Sequence, residues 1–81
     1  MNVEDAVWSA LSRHLIAPLN RDHASTTQLL QEGYLDSLGI VALMFDLEKE
    51  FHLKLKPTDV GPADFENFSA LVRFVSTRVA V

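Results

Sequence analysis

The chain has 81 residues, with seven Lys and Arg against eleven Asp and Glu, a formal net charge of −4, 48% hydrophobic residues and no cysteine. The acidic excess argues against a general nucleic-acid binder, whose phosphate contacts need cations. The missing cysteine removes disulfides and Cys-based zinc sites. No apolar run approaches the roughly 20 residues that span a bilayer, and the start lacks the basic-then-apolar layout of a signal peptide. The expectation is one folded domain over residues 1–81, monomeric and cytoplasmic, without membrane insertion.

From Val3 the apolar positions Val3, Ala6, Val7, Ala10, Leu11 and Leu15 recur at three- and four-residue steps, which places them on one face of a helix. Asn2 stands as its N-cap, with Glu4 and Asp5 in the first turn against the helix dipole. Pro18 predicts the end of this helix near Ala17. Trp8, at the edge of the stripe, suits a cover over a seam. A polar connection then runs to Gly33, long for a compact domain unless Leu29, Leu30, Tyr34 and Leu35 pin it to the helices. A brief helical turn fits around Thr27 to Gln31.

The second helix is expected to begin between Asp36 and Leu38 and to run to about Phe51. Ile40, Leu43, Met44, Leu47 and Phe51 supply its core face. Leu38, Val41 and Phe45 form a narrower adjoining line that a bundle of this size leaves uncovered, beside acidic groups, a composition suited to a partner contact. His52 to Val60 alternates through Leu53, Lys54, Leu55 and Lys56 to Pro57. A lone strand has nothing to pair with, so an extended loop with Leu53 or Leu55 inserted in the core is expected. Pro62-Ala-Asp-Phe-Glu suits one helical turn with proline first. Asn67 then caps a final helix with the stripe Phe68, Leu71, Val72, Val75 and Val79. These elements make an all-α fold, a small four-helix bundle of three main helices plus a short third one.

Few residues offer chemistry. His14, His23 and His52 are scattered without the spacing that brings two ligands to one face, so solvated surface histidines are expected and no metal site. A hydrolytic role for Ser37 lacks a Gly-x-Ser-x-Gly elbow, and the adjacent Asp36 is badly placed to orient a distant imidazole. An Asp-Ser pair before an apolar helix is also what an N-cap looks like.

The wider stretch Glu32-Gly-Tyr-Leu-Asp-Ser-Leu-Gly-Ile-Val-Ala-Leu43, closed by Leu47-Glu-Lys-Glu-Phe51, resembles the acyl carrier protein family. That family carries phosphopantetheine on the serine of an Asp-Ser-Leu motif. The resemblance implies a bundle of acyl-carrier type, with Ser37 as the attachment residue and phosphopantetheine, donated by coenzyme A, as the covalent cofactor. It further implies a carrier rather than an enzyme. Such a carrier is served by a phosphopantetheinyl transferase, an acyl- or aminoacyl-loading enzyme and downstream biosynthetic enzymes, and Asp36, Leu38, Val41, Phe45 and Glu48 are its partner-facing residues.

A phosphodiester on Ser37 would also lie at the positive end of a helix dipole. Fatty-acid carriers usually place acidic residues after the serine, where this chain has Gly39 and Ala42, and Lys49 interrupts the acidic helix end. The run Glu-Gly-Tyr-Leu-Asp-Ser-Leu-Gly is similar to carriers of D-alanine and other amino acids. The competing reading is a plain helical interaction module in which Ser37 is only a cap.

Overall fold

The computed structural model describes residues 2–56 and 60–79. Helix α1 spans Val3–Ser12, α2 is the single turn Arg21–Ala24, α3 spans Ser37–Phe51, a 3-10 turn covers Pro62–Phe65 and α4 spans Phe68–Val79. There is no strand among the described residues. The expected short third helix is the 3-10 turn, with Pro62 in its first position and the Asp64 carboxylate reaching back to accept from the Gly61 N–H at 2.9 Å. A radius of gyration of 11.5 Å is close to the about 11.7 Å of a folded chain of this length.

Side-chain caps start the long helices. Asn2 Oδ1 accepts from the Asp5 N–H at 3.3 Å and Asn67 Oδ1 from the Ala70 N–H at 2.8 Å. Helix α1 packs against both α3 and α4. Val7, Ala10 and Leu11 of α1 thereby meet Leu43 and Leu47 of α3 and Phe68, Leu71, Phe74 and Val75 of α4 in one apolar core. Trp8 covers the α1–α4 seam as expected, edge-on to Phe68 with ring centroids 5.2 Å apart. On α4, Phe74 is buried while Val79, assigned to the stripe, keeps 40% of its accessibility. No helix of the described residues is long and apolar enough to cross a membrane.

Helix α1 stops at Ser12, five residues before the boundary that Pro18 suggests. A continued helix would tie up the Ile16 N–H, which instead donates to the Tyr34 carbonyl at 2.9 Å. Leu15 still packs on the core from a non-helical position, so the apolar pattern outlasts the helix.

The connector to α3 is pinned, as its length required. Leu29 and Leu35 are buried and Tyr34 packs on the core, while Leu30 is exposed. The Leu29 carbonyl accepts from the N–H of both Tyr34 (2.8 Å) and Leu35 (3.1 Å), and the Leu29 N–H donates to the Glu66 carbonyl at 2.9 Å. The helical turn expected around Thr27–Gln31 is present, with the Glu32 N–H donating to the Gln28 carbonyl at 2.9 Å, and a further turn stands before it as α2, where Asn20 Oδ1 accepts from the Asp22 N–H at 2.8 Å. There Arg21 reaches Asp5 at 2.7 Å and lies over the Phe68 ring. Gly33, with φ of 82°, turns the chain toward α3 in a conformation that glycine adopts freely.

After α3, His52 takes the left-handed conformation (φ 55°) and the chain leaves as an extended loop. Leu55 inserts in the core and Leu53 packs beside it. The extended reading reaches Pro57, which lies outside the described residues.

Candidate functional site

The start of α3 separates two neighbouring residues that sequence alone makes interchangeable. Asp36 has extended backbone and is the N-cap: its Oδ1 accepts from the Gly39 N–H at 2.7 Å, and its carbonyl accepts from the Ile40 N–H at 3.0 Å. Ser37 is the first helical residue and is exposed. Its hydroxyl makes no hydrogen bond among the described residues. The notion that Ser37 is the cap is therefore corrected, because the capping bond belongs to Asp36.

The Ser37 and Leu38 N–H groups, orphans of the first helical turn, meet no acceptor among the described residues. A hydroxyl beside unpaired N–H donors at the positive end of a fifteen-residue helix is a favourable place for a phosphate ester. No imidazole bonds to the hydroxyl, and the Asp36 carboxylate beside it holds the Gly39 N–H. The site offers a nucleophilic atom without its own base, so it suits receiving a group from another protein better than catalysing a reaction.

Gly39 has a local reason. A Cβ there would stand 3.2 Å from Asp36 Oδ1, 3.5 Å from Leu35 Cδ2 and 3.7 Å from the His14 carbonyl oxygen. Glycine leaves the capping carboxylate its room.

Beyond Ser37 the expected apolar strip is exposed: Leu38 at 80%, Val41 at 49% and Phe45 at 66% of their full accessibility. Leu43 and Leu47 are buried on the opposite side, with Ile40, Met44 and Phe51 packed half-buried around them. Glu48 is half-buried, and its carboxylate accepts from the Leu55 N–H at 2.9 Å, tethering the loop that follows α3. It thus has an internal task that the sequence does not disclose.

The histidines divide. His23 and His52 are exposed, but His14 is half-buried, with Nε2 2.5 Å from Asp46 Oδ2 on α3. Arg13 Nε lies 3.7 Å from the same oxygen. The expectation of solvated histidines fails at His14 because its ring has a specific acceptor. That hydrogen bond, helped by the charges of His14, Arg13 and Lys49, holds the Asp46 carboxyl below its usual value of 3.8 against the opposing pull of partial burial.

An all-helical bundle with an exposed serine at the head of its longest helix and an apolar face beside it suits the class of proteins that bear a prosthetic arm. A family model described as the phosphopantetheine attachment site matches residues 10–75, most of the chain and a span that includes Ser37. The chain belongs to this phosphopantetheine attachment family, in keeping with its resemblance to acyl carrier proteins. No curated protein and no solved structure matches the chain. Phosphopantetheine is accordingly its covalent cofactor, and the chain is a carrier that interacts with a phosphopantetheinyl transferase and partner enzymes.

Proposed function

We propose that Ser37 bears the phosphopantetheine arm and that the chain carries an acyl or aminoacyl group on it as a thioester, presenting it to biosynthetic enzymes in the cytoplasm. The observation that carries this reading is the division of labour at the head of α3: Asp36 makes the cap, leaving the Ser37 hydroxyl exposed and unbonded. A plain interaction module with a capping serine has no such observation in its favour. In loading, Ser37 Oγ bonds to the phosphorus nearest pantetheine in coenzyme A, and the pyrophosphate link breaks. Adenosine bisphosphate leaves, and the hydroxyl proton passes to the transferase. The arm then supplies a thiol that forms the thioester.

The bundle supplies recognition. Leu38, Val41 and Phe45 make the apolar contact next to the arm, with Asp36 at its edge and Glu48 bordering it while tethering the loop. The acidic pattern of fatty-acid carriers is broken at Gly39, Ala42 and Lys49. Together with the run Glu-Gly-Tyr-Leu-Asp-Ser-Leu-Gly, this favours an aminoacyl or specialised cargo.

The test is intact mass of the apo chain after incubation with coenzyme A, magnesium and a promiscuous phosphopantetheinyl transferase. The parent chain gains one phosphopantetheine and Ser37→Ala gains none. A parent chain that stays at its apo mass, or a Ser37→Ala chain that gains, overturns the assignment. Offering fatty acyl, malonyl and aminoacyl donors to the loaded protein then identifies the cargo.

A further inference from the structure

The segment just after α1 crosses α3 close to Ser37. The His14 ring bonds Asp46, and its carbonyl oxygen faces Gly39 in the first turn of α3, 3.7 Å from where a Cβ would stand. Two residues later the Ile16 N–H donates to the Tyr34 carbonyl at 2.9 Å. The connector thus bonds the chain entering α3 at Tyr34 and runs beside it at Gly39, and Ser37 lies between those two points. From the inside, this turn is held by Leu35 in the core and by the Leu29 carbonyl. From the outside, the connector is the strap.

What holds the strap is narrow. Ile16, Ala17 and Pro18 are exposed, with Leu15 and Leu19 only half-buried. Among the described residues, the side chains that tie the strap to α3 are His14, bonded to Asp46, and Arg13, paired with the same oxygen. Gly39 and Asp46 are seven residues apart, about 10 Å along one side of the helix at 1.5 Å per residue, so the carbonyl of His14 lies beside α3 at one height while its ring bonds the helix at another. Segments with little buried apolar surface open locally at low free energy. A clasp at such a place controls local opening more than global unfolding.

We propose that His14 is a positioning residue for the modification of Ser37: by bonding Asp46 it clasps the connector along α3, and the connector fixes the Tyr34–Gly39 turn in the geometry that receives the arm. This rests on Ser37 as the attachment residue. The Asp46 carboxylate is the counterpart of the clasp. The role acts through the strap, so it appears in the rate of transfer rather than in docking, which belongs to the strip Leu38, Val41 and Phe45.

The test uses the full apo chain as parent, His14→Ala, Asp46→Ala and His14→Gln, the last keeping an N–H donor for Asp46. Amide exchange read by NMR is expected to speed up at Ile16 by about tenfold or more in both alanine variants, with Leu43 and Leu71 within about twofold of the parent. In loading by the promiscuous transferase with coenzyme A and magnesium, kcat falls by about three- to tenfold at unchanged KM for the carrier, as expected of a small misplacement of the reacting atom. His14→Gln recovers most of both effects. The double alanine variant is no worse than either single one, because the two residues act as one contact.

Exchange that rises at Ile16, Leu43 and Leu71 together marks general destabilisation and overturns the proposal. Unchanged exchange at Ile16, or unchanged kcat in both alanine variants of a chain that loads at Ser37, overturns it as well. A parent chain that does not load, or a Ser37→Ala chain that does, removes the attachment assignment and the positioning role with it, and the Ser37→Ala control tells these failures apart.

Discussion

Asp36 and Ser37 are adjacent, both are favoured at helix starts, and the fold gives them separate work. Truncating the cap, Asp36→Ala, is expected to lower stability by about 0.5–2 kcal/mol, while Asp36→Asn, which keeps the acceptor, stays near the parent. Ser37→Ala, which removes an exposed hydroxyl without a bond, is expected within about 0.5 kcal/mol of the parent. Urea denaturation of the apo chains distinguishes the cases, and a large loss at Ser37 would return the capping role to it. The sequence identified the pair but not its division, because cap preference does not distinguish aspartate from serine and only backbone geometry does. Glu48 shows the same limit. Its carboxylate meets the N–H of a residue seven positions away, and no local spacing rule signals such a bond.

At the scale of the element, α3 presents two faces of different meaning. Leu43 and Leu47 are fully buried, and Leu38 and Phe45 on the other side are among the most exposed large apolar residues. Replacing both, Leu38→Ser with Phe45→Ser, is expected to leave the unfolding free energy within about 0.5 kcal/mol of the parent. The same change lowers kcat/KM for transferase loading by about tenfold or more, a loss of about 1.4 kcal/mol of binding. An unaffected kcat/KM would show that the transferase docks elsewhere.

Helix periodicity revealed this element well because fifteen residues carry a sustained pattern. It failed at the ends and in the short pieces. Leu15 keeps the rhythm of α1 after the helix has stopped, since a half-buried apolar residue is required there whatever the backbone does. The four residues of α2 are too few for any period to register. Phe74 escaped the α4 stripe because that helix buries a wider arc, facing α1 on one side and the 3-10 turn on the other.

Among the described residues the large buried apolar side chains share one core, and no polar or charged side chain is buried. Charge among the described residues therefore acts at the surface, and Asp46 is one place where it answers to acid. Its folded-state pKa lies below the ordinary 3.8, so ionised Asp46 stabilises the fold above that value and the contribution is lost as pH falls through the depressed range. The groups facing it are His14, Arg13 and Lys49. Asp46→Asn is expected to be less stable than the parent at neutral pH, with the gap closing between about pH 5 and pH 2. Thermal melts across that interval measure it, and a gap independent of pH would mean that the carboxylate charge contributes nothing. The partnership of His14 with Asp46 was not legible in the sequence, because 32 residues separate them and only the early end of α1 brings them together.

Trp8, set against Phe68 between α1 and α4, is the single tryptophan of the chain. Its emission is a built-in gauge of whether those two helices are closed, and it stands on a different pair of helices from the one that begins at Ser37. Trp8 also lines a groove with the connector residues Leu15 and Ile16, so a change in tryptophan emission that tracked cargo in a folded chain would place that cargo at the α1–α4 seam or on the connector beside it.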